Sequence, residues 1–409
     1  MIRREYSILV ADNEIAVVRS TIEDLKRIGG QLKVGLQLYP ATSGSDVLKT
    51  LDEHRVDIVF LDYQFEGGMN GDEIIENITD PFGDILIVLM SAWEQKELEG
   101  VIFKRHKKLG ERFKFLRKPF EFLEIQARFL EIDNFFKERR YPFPLAHAMS
   151  IMETRSTEQG RLSAMKDVVE AVLSYGAIIL LSDLVRAEMH HGFQLGINWA
   201  LNLTMGAWIK LLNKLLEKFS TNKSALFMPE LYQTFFDKTD QPTEGFGRLF
   251  QFKDDLRDPV IGHGLTLDEG AYGLLASKYE DDVRRLYDSC WFLAKYHLML
   301  VEKADFTKRD SEIVEYRARV LMGSESAFKL VRWNSEERLP TGEVYVHRWD
   351  GDVLPLYPLL LVATCSKCMA ERLFLLANVK PRELEYNALC NHRYLDSKAR
   401  QTFNSILSV

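Results

Sequence analysis

The sequence predicts a doubly wound α/β domain, followed by an all-α helical bundle and a small β-rich segment. Three observations support this prediction. Strand-like runs alternate with helix-like runs over residues 5–138, helical spacing alone fills residues 149–303, and strand-like runs return after Phe306. A chain of 409 residues is long enough for several such domains. The predicted domains are 1–140, 141–306 and 307–409.

Composition and charge limit the class of protein. Hydrophobic residues make up 46% and charged residues 28%, as in soluble globular proteins, and the net charge of −7 argues against a chain whose whole surface binds nucleic acid. DNA binding is further disfavoured because no helix-turn-helix or cluster of basic residues stands out. The N-terminal residues do not resemble a signal peptide, and four cysteines without one fit a reducing compartment. We therefore expect a cytoplasmic protein without a membrane span.

Five strands alternate with helices in the N-terminal domain. The run VDIVFLD is continuously apolar, as expected for a parallel strand that is buried on both faces. The first helical stretch, EIAVVRSTIEDLKRIG, ends at glycine. In doubly wound sheets, ligands bind at the carboxyl ends of the strands. The other four predicted strands are YSILVAD, VGLQLYPA, DILIVLMSA and FKFLRKPF.

Polar residues stand where four of these strands end. Asp12 and Asn13 follow the first strand, and Asp62 ends the third. Ser91 ends the fourth strand, and Lys118 ends the fifth. Because the carboxyl ends of parallel strands meet at one edge of a sheet, we expect these side chains to lie close together.

This set of residues resembles the flavodoxin-like receiver domain of two-component response regulators. The segments ATSGSDVL and MNGDEI also fit the pattern of that family. The resemblance implies that Asp62 accepts a phosphoryl group from a sensor histidine kinase or a phosphotransfer protein, and that Ser91 and Lys118 contact the phosphate. It also implies a bound Mg²⁺, which neutralises charge during phosphoryl transfer. The implied Mg²⁺ ligands are the side chains of Asp12, Asn13 and Asp62 and the backbone carbonyl of Gln64.

The sequence departs from the family pattern at three places. Asn13 stands where a second acidic residue is usual, and an amide holds Mg²⁺ less well than a carboxylate. The loop YQFEGGMNG is longer than usual and lacks the common proline, and Phe115 stands where a switch tyrosine is frequent. Two hypotheses remain open: a receiver that is phosphorylated, and a degenerate receiver that serves only for docking. The presence of Asp62, Ser91 and Lys118 together favours the first.

The middle of the chain carries apolar residues at helical spacing. Two prolines in YPFPLAH end the preceding helix, so the domain boundary is expected near Tyr141. The apolar run AVLSYGAIILLSDLV is short and followed by charge, which favours a buried helix over a membrane span. The helical stretch YEDDVRRLYDSCWFLAKYHLMLVEK ends this region. We predict a helical bundle.

The segment RDPVIGHG interrupts the helical region with proline and glycine. Its arginine, polar residue and histidine resemble the R-x4-6-H motif of the HEPN superfamily of helical bundles, many of which are metal-independent ribonucleases. The resemblance implies a catalytic set of Arg257, Asp258 and His263, a homodimer and an RNA substrate. The residue types suit this chemistry, because histidine moves protons near neutral pH and arginine stabilises charge on phosphate oxygens. The combined prediction is a response regulator that controls a ribonuclease in phage defence or a stress response.

Other hypotheses for this region remain open. The helical domain is alternatively a non-catalytic bundle of the HEPN type that binds a partner or a nucleotide, or an unrelated helical domain in which His263 caps a helix. For the whole protein, the alternative is a phosphorylation-gated signalling adaptor that binds a partner protein and has no catalytic activity.

The C-terminal segment is rich in predicted strands and contains three of the four cysteines. The runs IVEYRARVLMG, AFKLVRW, GEVYVHRW and VLPLYPLLLVAT are strand-like, and WDGD is a hairpin turn. A Cys365-Ser-Lys-Cys368 motif, with Cys390 and His392 further on, resembles a zinc ribbon and implies Zn²⁺ at Cys365 and Cys368. The second half departs from the usual spacing, so two ordinary cysteines in a turn remain the alternative.

Overall fold

The computed structural model describes residues 4–65, 69–78, 84–93, 110–190, 203–255, 267–306, 313–325, 328–389 and 392–407. Contacts between residues divide the described chain into two compact units, one of residues 4–137 and one from Glu138 onwards. This division lies close to the boundary that the two prolines near Tyr141 predict.

The first unit contains a parallel five-stranded sheet with the order β2-β1-β3-β4-β5. This is the doubly wound order in which the direction of winding reverses between β1 and β3. β3 and β4 are buried along their whole length, which explains why their sequences are continuously apolar. All five predicted strands are confirmed. They are β1 (Glu5–Ala11), β2 (Gly35–Ala41), β3 (Ile58–Asp62), β4 (Leu86–Ser91) and β5 (Phe113–Arg117).

Side-chain caps fix where two helices of this unit begin. Ser43 accepts a hydrogen bond from the backbone N–H of Asp46 and starts α2. Asn70 and Glu73 form a reciprocal capping box that starts α3. The segments ATSGSDVL and MNGDEI therefore place two helix starts beside the carboxyl ends of the strands. The helices described in this unit are α1 (Ile15–Leu32), α2 (Gly44–Glu53), α3 (Gly71–Asn77) and α4 (Phe122–Arg139).

A buried carboxylate connects α4 to the beginning of β1. Asp133 accepts hydrogen bonds from Arg4 at 2.8 Å and from the Tyr6 hydroxyl at 2.5 Å, and Lys137 Nζ lies 2.7 Å from it. Burial acts to raise the pKa of Asp133. The hydrogen bonds from Lys137 and Tyr6 and the charge of Arg4 outweigh that effect, so the pKa is below its ordinary value.

The second unit begins with helices that pack around α6. α6 contacts α5, α7 and α10 and is apolar on nearly all sides. Among the helices of the described ranges, α6 alone is long and apolar enough to cross a membrane. Its most apolar window has a mean hydropathy of 1.9 and is 89% buried, as in the core helix of a soluble protein. These helices are α5 (Phe143–Thr154), α6 (Glu158–Arg186), α7 (Met205–Ser220), α8 (Pro229–Phe235), α9 (Glu244–Phe252) and α10 (Glu269–Ser289).

The prediction that helical structure continues to residue 303 is wrong. α10 ends at Ser289, a short 3-10 segment follows, and β6 begins at Tyr296. The stretch around Tyr296 is almost continuously apolar because β6 is a central strand with both faces buried at its start. A run of this kind fits helical and strand spacing equally well. The description of residues 141–306 as an all-α bundle is therefore not confirmed.

Two antiparallel sheets complete the second unit. One has the order β10-β9-β6-β7-β8, and the other has the order β11-β12-β13-β14. The predicted WDGD turn joins β9 to β10, with Gly351 at a φ of 99°. The last three strands and the terminal helix had no predicted counterpart. The elements are β6 (Tyr296–Phe306), β7 (Val314–Val320), β8 (Lys329–Ser335), β9 (Val344–Arg348), β10 (Val353–Pro355), β11 (Leu360–Thr364), β12 (Glu371–Val379), β13 (Leu384–Ala388), β14 (Arg393–Asp396) and α11 (Ser397–Leu407).

Candidate functional site

Three of the predicted site residues meet at the carboxyl edge of the parallel sheet. Asp12 follows β1, Asp62 ends β3, and β1 and β3 are neighbours. Lys118 Nζ lies 2.6 Å from Asp12 Oδ2 and 2.8 Å from Asp62 Oδ1. Both carboxylates are buried, with exposed fractions of 0% for Asp12 and 4% for Asp62. One ammonium group therefore bridges two buried carboxylates at the point where the sheet reverses its winding.

Within this cluster, burial and the hydrogen bonds between the charged groups act in opposite directions on the pKa values of Asp62 and Lys118. Burial, together with the charge of Asp12, raises the pKa of Asp62 above its ordinary value, although hydrogen bonds from Lys118 and from the backbone of Gln64 act to lower it. Burial acts to lower the pKa of Lys118, but its hydrogen bonds to the two carboxylates outweigh burial and raise that pKa. Lys118 therefore remains charged at neutral pH and partly balances the two acids.

Asn13 and Gln64 adjoin the same carboxylates. With the Asn13 amide nitrogen turned towards the acids, it lies 3.2 Å from Asp62 Oδ2 and 3.3 Å from Asp12 Oδ1. The Gln64 backbone N–H hydrogen-bonds to Asp62, which places the Gln64 backbone beside this carboxylate. The side chains of Asp12, Asn13 and Asp62 thus come together at one place, with the Gln64 backbone N–H beside them.

Ser91 lies at the end of β4, next to the end of β3. Its hydroxyl oxygen accepts a hydrogen bond of 3.1 Å from the Trp93 backbone N–H, and its carbonyl accepts one of 2.8 Å from the Lys118 N–H. Trp93 is 46% exposed, and its ring packs against Tyr63 at a centroid distance of 5.5 Å. Ser91 is thereby fixed in position while its own hydroxyl proton can still be donated.

Gly71 supports the site through its lack of a side chain. A Cβ atom at Gly71 would lie 2.9 Å from the Asp62 carbonyl oxygen and 3.0 Å from the Tyr63 Cα. The Gly71 N–H also donates a 2.8 Å hydrogen bond to the Tyr63 carbonyl. The start of α3 therefore contacts the backbone that carries Asp62. The segment MNGDEI fits the family pattern, but that fit does not indicate this close approach. The signal for it is a glycine that directly follows a helix cap.

The predicted catalytic set of Arg257, Asp258 and His263 lies outside the described residues. The structure describes α9 before this segment and α10 after it.

A second cluster of polar side chains lies at one end of the four-stranded sheet. Cys365 Sγ is 3.2 Å from His392 Nδ1, and the ligand atoms of Cys365, Cys368 and His392 all lie within 4.8 Å of one another. Hydrogen bonds from Arg372, then from Cys365 and His392, lower the pKa of the Cys368 thiol to about 6. Cys390, which the sequence analysis paired with His392, lies outside the described residues.

Comparison with known proteins identifies the family of the domain that contains the parallel sheet. Residues 8–129 match the family model for the response regulator receiver domain. Among solved structures, the chain is similar to the chemotaxis response regulator CheY4 of Vibrio cholerae, with 17% identity, 31% of this chain and 98% of that chain covered, and a TM-score of 0.26. It is also similar to the receiver domain of the Francisella response regulator 1452, with 18% identity, 32% and 98% covered, and a TM-score of 0.25. No curated protein matches the chain.

The family match covers the unit that contains Asp12, Asp62, Ser91 and Lys118. The N-terminal unit is therefore a response regulator receiver domain of a two-component system. Receiver domains typically bind Mg²⁺ at their phosphorylation site and interact with histidine kinases or phosphotransfer proteins.

Proposed function

We propose that the protein is a response regulator that accepts a phosphoryl group on Asp62 from a sensor histidine kinase or a phosphotransfer protein. The observation that carries this proposal is the contact of one ammonium group, on Lys118, with Asp12 at 2.6 Å and with Asp62 at 2.8 Å. A degenerate receiver has no need to hold two buried carboxylates and a lysine together, because burial of charged groups costs stability and such costly clusters are typical of functional sites.

Each residue of the cluster has a role in this proposal. A carboxylate oxygen of Asp62 attacks the phosphorus atom of the phosphorylated donor; the new O–P bond forms as the bond from phosphorus to the donor side chain breaks, and the donor leaves with that electron pair. Lys118, which already contacts the Asp62 oxygen, donates hydrogen bonds to the phosphate oxygens, and the Ser91 hydroxyl donates another. These two hydrogen-bond donors distinguish the phosphorylated state from the free state, because phosphorylation of Asp62 changes the charged group that each of them contacts.

The residues present fit Mg²⁺. This ion prefers hard oxygen ligands, and the carboxylates of Asp12 and Asp62 lie close enough to share one cationic partner. The backbone of Gln64 adjoins Asp62, and Asn13 would present its amide oxygen after a rotation of the amide. When bound, Mg²⁺ neutralises the negative charge that develops during phosphoryl transfer. Because Asn13 contributes no charge, we expect phosphorylation to need more Mg²⁺ than in receivers with a second acid.

Binding of beryllofluoride, a mimic of the phosphoryl group, tests this proposal. With Mg²⁺ present, we expect beryllofluoride to change the fluorescence of Trp93, whose backbone N–H is hydrogen-bonded to Ser91. Asp62→Ala should abolish the change, and Asn13→Asp should shift it to lower Mg²⁺ concentrations. Trp93→Phe, which removes the reporter, identifies the source of the signal, and calorimetry then measures binding in that variant. Binding that survives Asp62→Ala would contradict the proposal.

The activity that the receiver controls is inferred from the sequence alone. A ribonuclease centred on Arg257, Asp258 and His263, acting in a homodimer on RNA, stays a prediction, and the non-catalytic adaptor is the alternative. Incubation of the full chain with total RNA, compared with His263→Ala, separates the two. Zinc at Cys365 and Cys368 and a cytoplasmic location also stay predictions, and neither depends on phosphorylation.

A further inference from the structure

Two hairpin turns at one end of the four-stranded sheet bring three metal-ligating side chains together. The turn between β11 and β12 carries Cys365 and Cys368, and the turn between β13 and β14 carries His392. The pairing of Phe374 in β12 with Ala388 in β13 places both turns at the same end of the sheet. Backbone hydrogen bonds close each turn, among them one of 3.0 Å from the Ala388 N–H to the His392 carbonyl. The sheet itself therefore positions the three side chains.

The separations of the ligand atoms are close to those that a single ion requires. Two ligands of a tetrahedral zinc ion lie about 3.5–3.8 Å apart, given the usual metal–sulfur and metal–nitrogen distances. Cys365 Sγ and His392 Nδ1 are 3.2 Å apart, and no pair among the three ligand atoms is separated by more than 4.8 Å. Side-chain shifts of about 1 Å would bring the three ligand atoms to the separations that zinc requires.

The chemistry of the three ligands selects the kind of ion. Two sulfur ligands and one imidazole nitrogen favour zinc and other thiophilic cations over Mg²⁺ or Ca²⁺, which prefer oxygen. Cys365 is buried, whereas Cys368 and His392 are partly accessible, so an ion can enter from one side. Arg372 hydrogen-bonds to Cys368 and orients its sulfur.

The geometry points to a zinc site formed by Cys365, Cys368 and His392 that ties the β11–β12 turn to the β13–β14 turn. His392 belongs to the second half of the predicted zinc ribbon, and the register of three strands brings its ring to Cys365 in spite of the unusual spacing. The ion joins residues that are separated along the chain, so its binding energy contributes to the folding of this sheet. The site is independent of the phosphorylation that is proposed for the receiver.

Metal analysis of the full chain, purified under reducing conditions and supplied with zinc, tests this inference. We expect about one equivalent of zinc per chain. Cys365→Ser and Cys368→Ser should lose it, and His392→Gln should weaken zinc binding by more than the roughly 10–100-fold that loss of a supporting residue causes. Cys290→Ala is the matched control, since Cys290 is a buried cysteine of the same unit that lies outside the cluster, and it should keep the full equivalent.

A second measurement uses the unaltered chain and does not depend on the folding of the variants. Zinc should protect Cys365 and Cys368 from alkylation, and removal of zinc with a chelator should restore their reactivity. Two results would overturn the inference: a chain that takes up no zinc, and alkylation of both cysteines at the same rate with and without zinc.

Discussion

Two buried carboxylates lie near opposite ends of β1 in the receiver, and their surroundings differ. Asp62 shares Lys118 with a second acid, and burial raises its pKa. Asp133 has Arg4, Tyr6 and Lys137 around it, and these donors lower its pKa in spite of burial. Both residues are 4% exposed, so the difference comes from the number of donors and from the neighbouring acid.

The comparison shows that Asp62, the proposed phosphoacceptor, and Asp133 have different surroundings in the receiver. Asp133 is fully supplied with donors, and its ionised form stabilises the fold. Asp62 has fewer hydrogen-bond donors, so its ionised form destabilises the fold. The carboxylate can therefore interact with a new partner. Functional sites commonly lower the stability of the fold in this way.

The largest expected effect comes from removing the structural carboxylate. Asp133→Asn should destabilise the receiver by about 3 kcal/mol, at the lower end of values for broken buried ion pairs because Arg4 and Lys137 keep some access to water. Since folding lowers the pKa of Asp133, its contribution is complete above the ordinary carboxyl pKa of about 4 and is lost as the pH falls through the lower folded value. Native-state hydrogen exchange of β1 amides in the full chain measures this loss at pH 7 and at lower pH. A loss of the same size at every pH would remove the electrostatic explanation.

The next largest effect tests the close packing of Gly71 against the backbone of Asp62. Gly71→Ala should destabilise the receiver by about 1–3 kcal/mol, because the new Cβ overlaps the Asp62 carbonyl, and it should weaken beryllofluoride binding. Gly30→Ala is the matched control: nothing lies within 4 Å of its Cβ position in α1, so this variant should gain roughly 0.5–1 kcal/mol. Hydrogen exchange and beryllofluoride titration report the two effects. Equal behaviour of the two variants would refute the close contact.

The smallest effect has the opposite sign. Because folding raises the pKa of Asp62, the ionised carboxylate lowers stability at neutral pH, and this penalty disappears as the pH falls below the ordinary carboxyl value. Asp62→Asn should therefore stabilise the receiver by less than about 1 kcal/mol at pH 7 and leave it unchanged once the pH is well below about 4. The same substitution at Asp133 serves as the control, since it changes stability in the other direction. Destabilisation by Asp62→Asn at pH 7 would show that the two carboxylates are not held differently.

The two ends of the receiver were not equally predictable from the sequence. The edge with Asp62 follows from strand alternation, because parallel strands bring their carboxyl ends together whatever lies between them. The contact of Asp133 with Arg4 and Tyr6 joins residues more than a hundred positions apart, and no periodicity indicates it. The local sequence indicates where along a strand a residue lies, whereas tertiary packing determines which other side chains it contacts.

The same distinction explains the errors in the second unit. β6 was assigned to a helix because a strand buried on both faces has no alternating pattern. Cys365 and Cys368 stood out by their spacing, but their neighbour His392 comes from another hairpin. Its approach depends on the pairing of β12 with β13 and of β13 with β14.

The apolar helix α6 has a consequence for how the protein is synthesised. The receiver precedes α6 in the chain, so it can fold while the rest is still being translated. α10, which covers α6, is completed about a hundred residues after α6 ends, and at about 5–20 residues per second the helix lacks that cover for at least about 5 s. During that interval the nascent chain presents one of its most hydrophobic segments to the surrounding solution. Chaperone capacity in the producing cell, more than the stability of the finished fold, is then expected to set the yield of the second unit.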